Sequence, residues 1–162
     1  MKLIKKITFI IIFLFININA FGAVSGVVDN FQVTQRIATG VVFNPDGTKM
    51  YISGMSQNRV YEFDLTTGFD ISTATRNSNE CNHQPKDEDV VDLRLNSDGT
   101  KLFIVGSENN IILEYSLTTA YDVSTCSYEN TFFSGDGLDP RSMAFNTNGT
   151  KLFIYDQTGN YS

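Results

Sequence analysis

Tryptophan is absent from this 162-residue chain, histidine occurs once, cysteine twice and proline three times. Without tryptophan, the sugar-stacking or quinone-stacking platforms that depend on an indole ring are excluded. No serine lies in a Gly-x-Ser-x-Gly motif, and the single histidine, His83, is displaced from any such setting. A hydrolytic triad therefore has little support, and we predict no catalytic, cofactor-binding or metal-binding residue.

Positive charge is also scarce. The chain has 12 basic and 18 acidic residues, a formal net charge of −6. Nucleic acids and anionic membrane surfaces bind clusters of lysine and arginine. The composition therefore predicts that neither is a partner, and the acidity suits the solubility of an exported protein.

The longest apolar run is short and lies near the start of the chain, from Ile7 to Ile16, after Lys2, Lys5 and Lys6. This arrangement, with a small-residue site ending at Ala20, is typical of a secretory signal peptide over residues 1–20. An uncleaved membrane anchor is the alternative, but a spanning helix needs about 20 apolar residues. Cleavage leaves 9 basic and 18 acidic residues and predicts a secreted or periplasmic protein.

The two cysteines, Cys81 and Cys126, both lie in the exported part. An oxidising compartment allows one disulfide between them. However, Cys126 takes the place of Ala74 in the repeat described below, which favours a small buried side chain instead. Geometry decides between these alternatives.

A repeat of about 50 residues runs through the rest of the chain. Asp46-Gly47-Thr48-Lys49 returns as Asp98-Gly99-Thr100-Lys101 and as Asn148-Gly149-Thr150-Lys151. The first two copies align without a gap from Asn44–Thr75 to Asn96–Ser127. We expect repeats at about 38–80, 90–133 and 141–162, the last of them partial.

Each unit has the pattern of four strands. In the second unit these are Val90–Leu95, Lys101–Val105, Ile111–Leu117 and Ser127–Phe133, because apolar alternation or short apolar runs are separated by turn residues. The recurring Asn-x-Asp-Gly sequence predicts a type I turn whose glycine is left-handed.

The run Leu102–Val105 is apolar at every position, which predicts a strand covered on both faces by neighbouring sheets. The segment Leu113–Thr125 and the Asn-x-Asp-Gly-Thr-Lys-Leu-Phe-Ile motif resemble the lactonase-like, YVTN-type β-propeller repeats of exported bacterial and phage proteins. The resemblance implies an all-β fold, an incomplete β-propeller of four-stranded antiparallel blades, about two and a half in number.

That number is too small to close a ring, since propellers have about 4 to 8 blades. Val27–Ile37 is a candidate displaced fourth strand. Three explanations stay open: the chain is a fragment of a longer protein, several chains assemble to complete the torus, or the terminal blades stay open and associate. The stop within a hairpin favours the fragment.

Three groups of residues are candidate sites. Cys81, His83 and Asp87 could hold a metal, but a solvated loop accounts for them more simply. Recurring Asp46 and Asp98, with Asn148, suit turns better than calcium. Glu62 and Glu114 could line a pore or groove as paired carboxylates for acid and base chemistry, although repeated residues more often serve the packing of the repeat.

We therefore expect a non-enzymatic exported scaffold that binds an unknown protein or small-molecule ligand, with further blades supplied by the parent chain or by oligomerisation. The alternative, implied by the resemblance, is a lactonase-like propeller hydrolase whose site is mostly outside this chain. A cell-surface adhesive array is a third interpretation.

Overall fold

The computed structural model describes residues 37–55, 57–84, 86–134 and 137–158. The predicted signal peptide (1–20) and residues 27–36 of the candidate displaced strand lie outside these ranges. Within them the chain forms ten strands and two single turns of 3-10 helix. No helix among the described residues is long and apolar enough to cross a membrane.

The strands form two complete antiparallel sheets and half of a third. We name these the first, second and third blades. The first contains β1 (Ala38–Phe43), β2 (Lys49–Gly54), β3 (Arg59–Leu65) and β4 (Ala74–Asn82); the second contains β5 (Val90–Leu95), β6 (Lys101–Gly106), β7 (Ile111–Leu117) and β8 (Cys126–Ser134); the third contains β9 (Pro140–Phe145) and β10 (Leu152–Asp156). The 3-10 turns, Ile71–Thr73 and Val123–Thr125, precede β4 and β8.

The recurring motif forms the turn between the first two strands of each blade. Gly47, Gly99 and Gly149 have φ of 72°, 72° and 68°, which confirms the predicted left-handed glycine. The preceding acid closes the turn: Asp46 Oδ1 accepts hydrogen bonds from the backbone NH of Thr48 at 3.0 Å and from its hydroxyl at 2.6 Å. These bonds lower the pKa of Asp46.

Alternate side chains of the strands divide each blade into two apolar faces. The front face of the first blade carries Phe43, Met50, Ile52, Tyr61, Phe63, Leu65 and Ile71. The rear face carries Tyr51, Val60 and Cys81, which pack into one cluster with front-face residues of the second blade, including Leu93, Ile104 and Leu113. The rear face of the second blade packs in turn on Met143 of the third.

The innermost strands of successive blades also lie beside each other, β1 against β5 and β5 against β9. The hydroxyl of Thr39 on β1 donates to the carbonyl of Val90 on β5 at 2.6 Å. At Gly40 a Cβ atom would lie 2.6 Å from Leu93 Cδ2, so the absence of a side chain at Gly40 leaves room for this approach. The prediction of an incomplete propeller of four-stranded antiparallel blades, about two and a half in number, is confirmed.

A disulfide joins the outermost strands of the two complete blades. Cys81 on β4 is bonded to Cys126 on β8, with Cα atoms 5.8 Å apart. Of the two alternatives that the sequence left open, the structure has the bridge. The bridge closes a loop across the interface between the two blades, which we call the seam, so it constrains the first blade relative to the second.

Candidate functional site

An apolar pocket of about 390 Å³ lies on the front face of the first blade. Its lining comprises Ala38, Thr39, Gly40, Val41, Phe43, Met50, Ile52 and Ile71. Strands β1 and β2 supply seven of these residues, and the first 3-10 turn supplies Ile71. Because Thr39 is the single lining residue with a polar side chain, the pocket suits an apolar ligand group or side chain.

The pocket lies on a surface of the first blade whose equivalents on the second and third blades are covered. Val41 is 54% exposed, whereas the residues at the same repeat position, Leu93 and Met143, are 0% and 1% exposed. In those blades the preceding blade's rear face covers the position. The pocket therefore lies where the repeat provides an apolar docking surface, and the described residues leave it partly open.

A buried carboxylate connects the first blade to the second. Glu62 on β3 is 0% exposed and forms an ion pair with Lys49 on the adjacent strand. Its Oε1 accepts hydrogen bonds from Asn77 at 3.0 Å and Asn79 at 3.2 Å. Its Oε2 accepts from the backbone NH of Val123, in the second blade, at 3.1 Å.

A second buried carboxylate connects the second blade to the third. Asp92 on β5 accepts hydrogen bonds at Oδ2 from the hydroxyl of Ser142 and the backbone NH of Met143, each at 2.9 Å. Its Oδ1 accepts from Arg94 at 2.7 Å and from the backbone NH of Leu93 at 2.9 Å. All the lone pairs suited to hydrogen bonding are therefore engaged by protein donors.

The innermost strands also carry two arginines. Arg94 on β5 pairs with Asp92, and Arg141 on β9 pairs with Asp139, each at 2.7 Å. Each arginine thus has an acid two residues away on the same chain segment. The Nε atom of Arg141 is buried without a hydrogen-bond partner in the described part of the chain.

In the candidate metal site, the Cys81 sulfur, the His83 Nδ1 atom and the Asp87 carboxylate are all engaged by other groups. Cys81 is in the disulfide, and His83 is fully buried with Nδ1 2.8 Å from the carbonyl oxygen of Asp87. Burial lowers the pKa of His83. The Asp87 carboxylate accepts backbone NH groups of Asp89 and Asn109, each at 2.9 Å. Across the described residues, no group of three or more His, Cys, Asp or Glu side chains could hold a metal ion.

The loop containing His83 differs from the expected solvated one. His83 and Asp87 are both buried, and a Cβ atom on Gly106 would lie 2.3 Å from the Asp87 carboxyl carbon. The loop therefore packs against the end of β6, because the absence of a side chain at Gly106 leaves room for Asp87.

The idea that Glu62 and Glu114 line a pore or groove as paired carboxylates is wrong for Glu62, which lies between two blades. Glu114 belongs to a separate sheet, where it pairs with Lys101 at 3.1 Å and accepts a hydrogen bond from Asn130 at 3.2 Å. Each glutamate thus has a lysine of its own. The residues Asp46 and Asp98, with Asn148, all close turns.

Sequence reasoning missed Asp92 and the lysine–glutamate pairs. A signal for the pairs was available, because Lys49 precedes Glu62 by 13 residues and Lys101 precedes Glu114 by the same number. A constant spacing between opposite charges on consecutive strands indicates a cross-strand pair. Asp92 has Gly40 and Ser142 at its repeat positions, so the repeat gave no sign of it.

No family model matches the chain, and no curated protein sequence matches it. Solved structures do resemble it. A Bacteroides fragilis protein described as a "putative 6-phosphogluconolactonase" is 17% identical, with a TM-score of 0.57 over 72% of this chain and 31% of its own. A protein of the same description from Bacteroides uniformis is 14% identical, with a TM-score of 0.56 over 74% of this chain and 33% of its own.

The β-propeller domain of Myceliophteria thermophila Cps50 (Swd1) is 15% identical, with a TM-score of 0.49, and the match covers 74% of this chain and 36% of that domain. The chain therefore spans about a third of the length of the two Bacteroides proteins. At these identities the likeness shows the fold alone, since one fold hosts many activities.

Proposed function

We propose that this chain is part of an exported β-propeller scaffold that binds a protein or small-molecule ligand without catalysing a reaction. The observation that carries the proposal is the contrast between its buried acidic residues and its open apolar pocket. Buried Glu62 and Asp92 bond to neighbouring blades, whereas the pocket on the first blade is apolar and open. A site of this kind provides contact area rather than acid, base or nucleophile.

The pocket is the proposed ligand surface. Val41, at 54% exposed, borders it with Phe43, and Met50 and Ile52 form its buried side. We expect the ligand to insert an apolar group there, an aliphatic or aromatic ring or side chain. Loss of apolar surface from water stabilises such a complex by roughly 25 cal/mol per Å² before the costs of association.

Export is supported by the leading lysines with the short apolar run and by the disulfide between Cys81 and Cys126. Disulfides persist in oxidising compartments. Periplasmic or secreted localisation is therefore part of the proposal. N-terminal sequencing of the protein recovered from the periplasm of a bacterial host would test it, with Phe21 as the expected first residue.

Further blades are also part of the proposal. The chain spans about a third of two propeller-fold neighbours, and each apolar face of a blade needs a neighbour to cover it. We propose that these blades come from the parent chain, with oligomerisation as the other source. Sedimentation velocity distinguishes the two, because only the second gives a complex larger than one chain.

Titration with 8-anilinonaphthalene-1-sulfonate, a dye whose fluorescence rises in apolar sites, tests the pocket. Val41→Glu places a charge at the rim and is expected to weaken dye binding at least tenfold. Ile37→Glu is the matched control, because Ile37 is 51% exposed and does not line the pocket. Equal dye affinity in both variants and the parent would overturn the pocket assignment.

A further inference from the structure

The third blade has an unpaired edge within the described residues. In the first two blades the second strand pairs with a third, β2 with β3 and β6 with β7. β10 pairs with β9 on one side, and the described residues provide no strand on its other side. Two of its side chains, Phe153 and Tyr155, are each 58% exposed. An open edge presents backbone donors and acceptors to an incoming strand.

We propose that the edge of β10 is a docking site for a strand and turn of the repeat's own design, supplied by a further unit of the same repeat. The incoming segment would match Arg59–Thr73 of the first blade and Ile111–Thr125 of the second. This inference rests on the proposed scaffold function and names the chemistry of one partner. Three independent positions in the second and third blades specify the segment.

The first position is a lysine without an acidic partner. Lys49 pairs with Glu62 and Asp64 on β3, and Lys101 pairs with Glu114 and Glu129 of its own blade. Lys151 follows the same motif, yet it has no ion pair in the described part of the chain. A glutamate on the incoming strand would complete the pattern.

The register places this glutamate. Tyr51 pairs with Glu62 and Phe103 pairs with Glu114 across their sheets. Phe153 has the same repeat position as Tyr51 and Phe103. The incoming glutamate would therefore lie opposite Phe153, where a side chain can reach the ammonium group of Lys151, as it does in both other blades.

The second position is a turn glycine without its aromatic cover. A Cβ atom on Gly47 would lie 2.4 Å from the ring of Phe69, and one on Gly99 would lie 2.5 Å from the ring of Tyr121. Gly149 has the same left-handed conformation, but no described residue lies within 4 Å of its Cβ position. An aromatic residue after the incoming strand would cover it.

Backbone hydrogen bonds also hold each of these aromatic residues against its turn glycine. The NH of Phe69 donates to the carbonyl of Gly47 at 3.0 Å, and the NH of Tyr121 donates to that of Gly99 at 2.9 Å. Both aromatic residues have positive φ, 62° and 61°. The carbonyl of Gly149 receives no such donor from the described residues, so the incoming turn supplies both the ring and the NH.

The third position is a glutamate without a donor from the next blade. Glu62 accepts the backbone NH of Val123, which lies in the 3-10 turn of the following unit. Glu114 has the same position in the second blade, but among the described residues no backbone NH of another blade reaches it. The 3-10 turn of the incoming segment is placed to donate there, because it follows the strand by the same number of residues as Val123 follows β7.

A peptide tests the proposal directly. A fluorescein-labelled peptide with the sequence of residues 59–73, which carries Glu62 and Phe69, is titrated with the full chain and followed by fluorescence anisotropy. We expect saturable binding. Because the pair with Lys151 and the ring over Gly149 each specify the segment, Glu62→Lys and Phe69→Ala in the peptide should each weaken binding at least tenfold.

A charge exchange identifies the position. Lys151→Glu in the protein should weaken the parent peptide at least tenfold and restore binding of the Glu62→Lys peptide. Lys86→Glu is the control, since Lys86 stacks on Tyr128 of β8, in the second blade. Lys151 is exposed, so folding is expected to survive, and circular dichroism checks this. The peptide variants remain informative even if it does not.

Three outcomes would overturn the proposal: no saturable binding, equal binding of a scrambled peptide, or the absence of rescue in the charge exchange. Self-association of the chain that excludes the peptide would also do so, because a second copy would then be the occupant of the edge. The dye titration of the pocket on the first blade is independent of β10. Failure of the peptide to bind is therefore distinguishable from failure of the proposed function.

Discussion

Glu62 of the first blade accepts a hydrogen bond at 3.1 Å from the backbone NH of Val123, 61 residues later in the second blade. The glutamate is fully buried and is also paired with Lys49. A buried charge is tolerated only with such partners, since an unpaired ion in the interior is strongly unfavourable. The hydrogen bond between Glu62 and Val123 thus favours one alignment of the two blades when they pack together.

The first prediction concerns this carboxylate. Glu62→Ala should lower the free energy of unfolding by about 1 to 3 kcal/mol, because the buried NH of Val123 loses its acceptor while Lys49 keeps its pair with Asp64. Glu114→Ala is the matched control, since Glu114 is partly exposed and Lys101 keeps Glu129. We expect about 1 kcal/mol or less there. Urea unfolding followed by circular dichroism measures both, and equal losses would contradict the inter-blade role.

The second prediction concerns the disulfide. Cys81 and Cys126 are 45 residues apart, and closing a loop of that length stabilises a protein by about 4 kcal/mol in the chain-entropy model. The Cys81→Ala/Cys126→Ala double variant should therefore unfold at a clearly lower urea concentration than the parent. Dithiothreitol is the control, since it should destabilise the parent and leave the double variant unchanged. A parent protein indifferent to reductant would contradict the expectation.

The repeat made most of the fold predictable. Asp46-Gly47-Thr48-Lys49 and its copies fixed the turns, and the run Leu102–Val105 indicated sheets covered on both faces. These signals are local and recur, so each copy reinforces the others. The strand limits Val90–Leu95 and Ile111–Leu117 agree with the structure.

The seams between blades were much less predictable. From the sequence Glu62 is a candidate for a pore or groove, because its sequence neighbours do not reveal that Val123, 61 residues away, covers it. Asp92 replaces a glycine of the first unit, so it carries no repeat signal. Contacts between distant residues depend on how the sheets stack, which local periodicity does not encode. The pocket on the first blade was not predicted for the same reason.

The third prediction concerns pH. The imidazole of His83 is buried, its Nε2 has no hydrogen-bond partner in the described residues, and burial lowers its pKa below the ordinary 6.5. The unfolded chain therefore binds a proton first as the pH falls, so stability is full above pH 6.5 and declines below it. Between pH 7.5 and 5.5 we expect a loss of at most about 1.4 kcal/mol from this group.

His83→Asn is the matched variant for this measurement, because its amide can still donate to the carbonyl of Asp87. Its stability should lack the part of the pH dependence that comes from the histidine. Urea unfolding at the two pH values provides the comparison. The same decline in parent and variant would assign the effect to other groups.

The fourth prediction concerns the turn glycines. Gly99→Ala forces a side chain into a left-handed conformation and into the ring of Tyr121. Gly149→Ala has the cost of the left-handed conformation, about 1 to 2 kcal/mol, without the clash, because no residue in the described ranges lies within 4 Å of its Cβ position. We therefore expect Gly99→Ala to lose about 1 to 3 kcal/mol more than Gly149→Ala. Thermal unfolding compares the two variants, and equal losses would show that the ring of Tyr121 moves aside without cost.

The fifth prediction concerns a hydroxyl at the seam between the first two blades. Tyr51 donates to the carbonyl of Tyr121 at 2.7 Å, and burial raises the pKa of Tyr51 so that it keeps its proton. Phe103 has the same place in the second blade, so a phenyl ring fits the site. Tyr51→Phe should lower the free energy of unfolding by about 1 to 2 kcal/mol because the carbonyl of Tyr121 loses its donor.

Tyr115→Phe is the control for this measurement. The Tyr115 hydroxyl has no hydrogen bond among the described residues, so we expect the free energy of unfolding to change by no more than about 0.5 kcal/mol. Similar values for the two variants, measured by urea unfolding, would show that the hydroxyl of Tyr51 contributes nothing to docking of the blades.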